Sequence, residues 1–312
     1  MSRFRETADV DHFRRGISLL RKTVPLVALA LLAGCAAPAS PQLAPPPPPS
    51  SAAVSSHDFA DLERTFGARL GVYALDTGSG REVAYRADER FAYASTHKVF
   101  SSAAVLKKLG VGGIDRVVKY PQADVVAGSP ITSQHVGDGM ALRAVMDAAL
   151  RYSDNTGANL LFRELGGPAA LGSWLRSIGD PVTHVDRTET TLNETAPGDV
   201  RDTTTPRTWA RDLRAVTLGS VLPPDARTFL TDTMRANTTG AATIRAGVPA
   251  GWQVADKTGT ADHGTRDDIA ITWPPGRAPI VLVVLSDHPA PDAPTDDKLI
   301  ARATTAAVKA LG

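Results

Sequence analysis

Apolar residues recur along this chain with two different periods, and the order of those periods predicts its architecture. Phe59, Leu62 and Phe66 stand three to four residues apart, the spacing of one helical face, and Gly67 follows as a stop, so a helix is predicted over 57–66. Residues 69–76 then alternate, with Leu70, Val72 and Ala74 set against Tyr73 and Leu75. Thr77-Gly78-Ser79-Gly80 is a turn into a second strand over 82–85, which makes a hairpin. Near the other end, strands over 253–257, 269–273 and 280–286 precede a helix over 296–311. Between these β-rich ends, residues from about 95 to 235 carry helical patterns, such as 99–109, 142–151 and 159–165. The order implies an α/β fold in which both chain ends build one sheet and an all-helical domain is inserted between them. A cleft between the two parts is the natural site.

Composition changes this picture only at the N-terminus. The 312-residue chain has a formal net charge of +1, but Arg3, Arg5, Arg14, Arg15, Arg21 and Lys22 face only Glu6, Asp9 and Asp11 in its first segment. The rest is slightly acidic and has no basic stripe, which argues against a nucleic-acid partner. The basic segment runs into an apolar stretch, Val24 to Leu32, too short for a stable bilayer span. It reads as an export signal. Leu32-Ala33-Gly34-Cys35 resembles the bacterial lipobox, so residues 1–35 are expected to be a lipoprotein signal peptide and Cys35 the lipidated residue that anchors the protein to a membrane. Cys35 is the only cysteine, which excludes an intramolecular disulfide. Arg14-Arg15 leaves both the general and the twin-arginine export routes open. Residues 36–56, rich in Pro, Ala and Ser, favour extended backbone and read as a tether to a domain over 57–312.

Three short motifs carry chemistry. Ser95-Thr96-His97-Lys98 is the only Ser-x-x-Lys, and residues three apart on a helix share a face, so the Lys98 amine can lie beside the Ser95 hydroxyl. A desolvated lysine is able to accept that hydroxyl's proton. Ser153-Asp154-Asn155 lies between two helical segments and offers a second hydroxyl for proton transfer. Lys257-Thr258-Gly259-Thr260 ends a strand, where glycine admits a close approach and the lysine and hydroxyls can hold a carboxylate. Taken singly, each motif also fits a plain structural role, a helix cap or a strand end. All three in this order do not.

With that triplet the chain resembles the class A β-lactamases, whose motifs these are and which share them with penicillin-binding proteins. Arg187-Thr188-Glu189-Thr190-Thr191-Leu192-Asn193 resembles the family's omega-loop motif and separates the two, and the resemblance covers nearly all of 57–312. It implies an antiparallel five-stranded sheet flanked by helices, with 57–90 plus 236–312 as the α/β part and 91–235 as the helical part. It also implies hydrolysis of penicillins and cephalosporins through an acyl-enzyme on Ser95, giving antibiotic resistance. The catalytic set is then Ser95, Lys98, Ser153 and Glu189, with the acylation base open between Lys98 and Glu189. Glu189 and Asn193 hold the hydrolytic water. Asn155, Asn193, Lys257, Thr258, Gly259, Thr260 and Arg266 line the substrate site, and the backbone N–H groups of Ser95 and Thr260 form the oxyanion hole. Arg187 is expected to pair with Asp202 across the neck of the loop.

The sequence departs from the family at Gly128, where an aromatic residue usually lines the cleft, and at Thr188 and Thr190 around the glutamate. Ala94 and Ala261 stand where some carbapenem-hydrolysing relatives carry a disulfide. His97, His135, His184 and His263 lack metal-ligand spacing and are assigned surface or packing roles; no metal or other cofactor is expected. The expected partners are small β-lactams and the membrane, with the chain itself a monomer. Two alternatives remain at this stage, a D,D-peptidase and a β-lactam sensor without turnover.

Overall fold

A computed structural model describes residues 56–312. The expected signal peptide, Cys35 and all of the expected tether but Ser56 lie outside the described residues, and Ser56 is already the first residue of a helix.

The five predicted strands form one antiparallel sheet: β1 (Arg69–Asp76), β2 (Glu82–Tyr85), β3 (Gln253–Ala261), β4 (Thr265–Trp273) and β5 (Ile280–Asp287), in the order β2-β1-β5-β4-β3. The two ends of the chain meet at its centre, where Arg69 pairs with Asp287 and Asp76 with Ile280. Side chains on successive residues of a strand point to opposite faces. In β5, Val281, Val283 and Leu285 therefore join one apolar core, while Ile280, Leu282 and Val284 join another. The second core is closed by α1 (Ser56–Phe66) and the C-terminal helix, whose Leu299, Ile300, Ala303, Ala307 and Leu311 recur at helical spacing.

On the other face lie α2 (His97–Leu109), α3 (Leu142–Arg151), α4 (Asn155–Leu165), α5 (Pro168–Ser177), α6 (Pro206–Thr217) and α7 (Pro224–Arg235). Their ends follow local chemistry. Asp154 caps α4 by accepting a hydrogen bond from the Gly157 amide at 2.8 Å, and Gly166 stops it in the left-handed region at φ +105°. Thr205 caps α6 ahead of Pro206, a residue suited to the first helical position. Although α6 falls within 91–235, it packs directly on the sheet: a Cβ on Gly71 of β1 would come within 2.8 Å of the Pro206 ring and 2.5 Å of Phe91. A side chain at 71 would push that helix off. The Ile244–Gly247 turn, α8, and the last helix, α9 (Asp297–Leu311), complete the outer layer. Among the described residues no helix is long and apolar enough to cross a membrane.

Candidate active site

The site forms where three connections converge on the edge strand β3. The first is a single 3-10 turn, Ala94–Thr96, leading into α2. Ala94 has φ +43°, a left-handed conformation that costs a non-glycine residue about 1 kcal/mol or more and is retained only where its surroundings fix it. They do. Tyr93 is fully buried and stacks on Trp209, Thr96 donates to the Tyr93 carbonyl at 2.6 Å, and the Trp209 indole donates to Thr96 at 2.8 Å. Gly259 of β3 lies against this turn so closely that a Cβ there would be 3.0 Å from the Ala94 methyl and 3.1 Å from the Tyr93 carbonyl. The glycine in the Lys-Thr-Gly motif thus brings the strand to the serine.

The tight turn also sets Lys98 over Ser95. The Lys98 ammonium donates to Ser95 Oγ at 2.8 Å, the Ser153 carbonyl at 2.8 Å and Asn155 Oδ1 at 2.7 Å, and lies 3.0 Å from Glu189 Oε1. Both Lys98 and Glu189 side chains are sealed from solvent. Ser95 Oγ is itself 3.2 Å from Glu189 Oε1, so the serine proton has the Glu189 carboxylate within reach, and Lys98 as well once its ammonium has given up a proton.

The second connection, between α3 and α4, holds Ser153 at φ +55°. Its neighbour Asp154 is fully buried and receives the Ile131 amide (3.0 Å), the Thr132 amide (2.9 Å) and the Thr132 hydroxyl (2.7 Å) in addition to capping α4. Asn155 donates to the Ala127 carbonyl at 2.8 Å and accepts Gly128 as a close neighbour; a Cβ on Gly128 would be 2.6 Å from its amide nitrogen. The loop over 127–132 is thereby fixed to the head of α4. From β3, the Lys257 ammonium donates to Ser153 Oγ at 3.0 Å, and that hydroxyl also lies 3.4 Å from Lys98 Nζ. Ser153 is thus between two buried lysines.

The third connection is the loop carrying Glu189. Its neck is closed by Arg187, whose Nε donates to Asp202 Oδ2 at 2.6 Å, as the motif predicts. Asn159 of α4 clamps the backbone of Glu189 from both sides, accepting from its amide at 2.9 Å and donating to its carbonyl at 2.8 Å. The Asn193 amide donates to Glu189 Oε2 at 2.6 Å. The Glu189–Thr190 peptide is cis. At the far end of the loop, the Asp262 amide donates to the Asn193 carbonyl at 3.0 Å and ties it to the end of β3.

Electrostatics follow from this packing. Burial pushes the Glu189 carboxyl up, but the Lys98 charge, His97 and the Lys98 hydrogen bond outweigh it and hold the group well below the usual carboxylate range. Burial lowers Lys98, opposed by the charge of Glu189, and lowers Lys257 strongly, with the Lys98 charge acting in the same direction. Both lysines release a proton more readily than lysines in water. Thr258 is buried with its hydroxyl 2.6 Å from that of Thr239, and Thr260 is exposed at the rim. Arg266 is anchored through Nε to Asp297 at 2.6 Å and presents Nη1 to the Thr260 hydroxyl at 3.1 Å.

Ser95, Lys98, Ser153, Asn155, Glu189, Asn193 and Lys257 are therefore linked by direct polar contacts, with Gly259 against the Ser95 turn and Arg266 beside Thr260 on the neighbouring strand. Two others belong with them that the sequence reading left out. Asn159 gave no signal beyond its position in a helical pattern. His97 was assigned a surface or packing role; it is fully buried and does pack on Phe162, yet its Nε2 also lies 3.3 Å from Glu189 Oε1. Its place inside the Ser-x-x-Lys motif was the available clue.

Comparison with known proteins is consistent with this geometry. The model of the beta-lactamase enzyme family matches residues 55–311. A β-lactamase of Bacillus amyloliquefaciens is 52% identical over 255 residues, which is 82% of this chain and 83% of its own. β-Lactamase AST-1 of Nocardia asteroides is 51% identical over 262 residues, 83% of this chain and 84% of its own. The crystal structure of a class A β-lactamase from Clostridium kluyveri is similar with a TM-score of 0.81 at 47% identity, over 82% of this chain and 98% of that one.

Proposed function

Because the chain belongs to the class A β-lactamases, hydrolases that open the β-lactam ring and so confer antibiotic resistance, we propose that Ser95 is the nucleophile and that the reaction runs through its acyl-enzyme. The observation that carries this reading is the triangle of Ser95 Oγ, Lys98 Nζ and Glu189 Oε1, whose sides are 2.8, 3.0 and 3.2 Å. Ser95 attacks the lactam carbonyl as its proton passes to the neutral Lys98 amine or to Glu189. The oxyanion that develops is met by the N–H groups of Ser95 and Thr260, a contribution worth about 3 kcal/mol in comparable sites. Ser153, hydrogen-bonded to Lys257, returns a proton to the departing lactam nitrogen. Glu189, ionised and steadied by Asn193, then takes a proton from water as that water attacks the ester.

For binding, Asn155 meets the side-chain amide of the substrate, while Lys257, Thr258, Thr260 and Arg266 meet its carboxylate, with Gly259 keeping the strand close. The preferred substrates are penicillins and early cephalosporins, with carbapenems turned over weakly. On this reading the chain divides into an α/β part (57–90 and 236–312) and a helical part (91–235). We further propose that the chain is exported, anchored by a lipid on Cys35, tethered by 36–56, and active as a monomer.

The test is Glu189→Gln on residues 57–312, followed with a chromogenic cephalosporin and intact-mass spectrometry. General-base catalysis contributes about 10²- to 10⁴-fold, so the variant should accumulate a Ser95 acyl adduct and deacylate slower by that factor. Turnover by the variant at the wild-type rate would overturn the assignment.

A further inference from the structure

We propose that His97 is a positioning residue for Glu189: a neutral imidazole, protonated at Nε2, that donates to Oε1 and fixes the carboxylate for deacylation. This rests on the reading of Glu189 as the deacylating base. The ring has no exposed surface and stacks on Phe162 of α4 with centroids 4.9 Å apart and planes 11° from parallel. That stacking leaves the ring little freedom to swing, and it points Nε2 at Glu189 Oε1, 3.3 Å away. An ionised carboxylate only accepts hydrogen bonds, so the nitrogen facing it must carry the proton. Nδ1, on the other side of the ring, is buried without a partner, which suits the unprotonated nitrogen of the same tautomer.

The groups that bear on the ring agree with a neutral state. Glu189 draws it toward protonation, but burial, Lys98 beside it and Lys257 on β3 all oppose this, and its proton affinity falls below that of an ordinary histidine. The Tyr93 ring, 6.0 Å away, is held by its own bond to Asp202. A charged donor at this position would compete with Lys98 for the carboxylate and make it a poorer base. An apolar residue would leave Oε1 with only Lys98 and Ser95, and Ser95 ceases to be a donor once it is acylated. His97 supplies a donor that persists through the acyl-enzyme and adds no charge.

Two measurements decide this. In untagged protein labelled with ¹⁵N-histidine, one imidazole should remain the neutral Nε2–H tautomer from about pH 5 to about pH 9, and it should vanish in His97→Gln. A residue 97 signal that titrates in that range, or that shows Nδ1–H, overturns the proposal. In single-turnover deacylation, His97→Phe keeps the ring stack but deletes the donor. Losing a hydrogen bond to a charged acceptor corresponds to about tenfold or more, so the acid limb of its pH profile should move up by about one unit. His97→Gln, whose amide reaches the same point, should return the limb most of the way. An unchanged limb in His97→Phe, or an equal shift in both variants, refutes the role. Glu189→Gln run alongside separates the two readings: if it traps the acyl-enzyme while His97→Phe behaves as wild type, only the histidine assignment falls.

Discussion

Replacing Asp202 by asparagine should loosen the loop that carries Glu189 without disturbing the backbone beneath it. Asp202 sits at φ +55°, a conformation asparagine tolerates better than other residues, so the substitution adds little strain. Asn keeps one acceptor oxygen for the three donors on Oδ1: the Asp186 amide at 2.8 Å, the Arg187 amide at 3.1 Å and the Tyr93 hydroxyl at 3.0 Å. The lost interaction is the ion pair on Oδ2, where an NH₂ would now oppose Arg187 Nε. Breaking a buried pair from one side costs about 3–5 kcal/mol. Here Asp202 is 1% exposed but the Arg187 side chain is 15% exposed, and its Nη1 keeps a bond to the Glu194 carbonyl at 3.0 Å. Partial rehydration brings the expected cost to about 2–3 kcal/mol. For a domain of this size that lowers Tm by about 4–12 °C. The same opening frees Glu189 to move, so acyl-enzyme should build up during turnover. Calorimetry and intact-mass spectrometry of quenched reactions would read both effects. A Tm within about 1 °C of wild type together with no acyl build-up would refute the claim that this pair closes the neck. Removing Arg187 as well should cost less than the sum of the two single changes.

Asp212 on α6 lies against the Asp180 carboxyl, and burial, then the Asp180 charge, pushes it up to about 9. Folded protein therefore holds this proton up to that pH, whereas the unfolded chain releases it near 4, so stability falls as pH rises between them by up to about 1.4 kcal/mol per unit. Asp180, which is lowered, acts only toward the acid side, where its contribution is lost as pH falls. Asp212→Asn should accordingly leave Tm near pH 4.5 little changed and raise it at pH 8.5; equal destabilisation at both would refute a shared proton. Arg266→Ala should raise KM for penicillins about tenfold, the order expected for one lost charge-assisted contact, with a smaller change in kcat. A fall in kcat at unchanged KM would exclude it from carboxylate binding.

Much of the fold could be read from apolar periodicity because both cores are made by regularly spaced residues. The hairpin of β1 and β2 and helix α3 have the predicted limits. The misreadings have local causes. β4 begins at Thr265 rather than 269 because Asp267 and Asp268 interrupt the apolar pattern, yet both are fully buried, and burial raises their carboxyl proton affinity well above normal. Charge in a sequence says nothing of protonation in a core. Helix α4 starts at Asn155, four residues before its apolar pattern, because its first turn is held by the Asp154 cap and the Asn155 contacts of the site. The catalytic motifs were legible since Ser95 and Lys98 need only helical spacing to meet. His97 and Asn159 were not, because their partners are 92 and 30 residues away in sequence.

The central strand of the sheet is also nearly the last to be synthesised. β5 pairs with β1 across more than 200 intervening residues, and β3 and β4 attach only through it. A growing chain therefore carries the β1–β2 hairpin and its apolar faces with no further strand to join until its final segment emerges, and such long-range pairing forms slowly. If the proposed export runs by the general route, that delay keeps the chain unfolded while it crosses a membrane. It also means that a stop codon shortly after residue 279 would not trim an edge but would remove the strand on which both halves of the sheet depend.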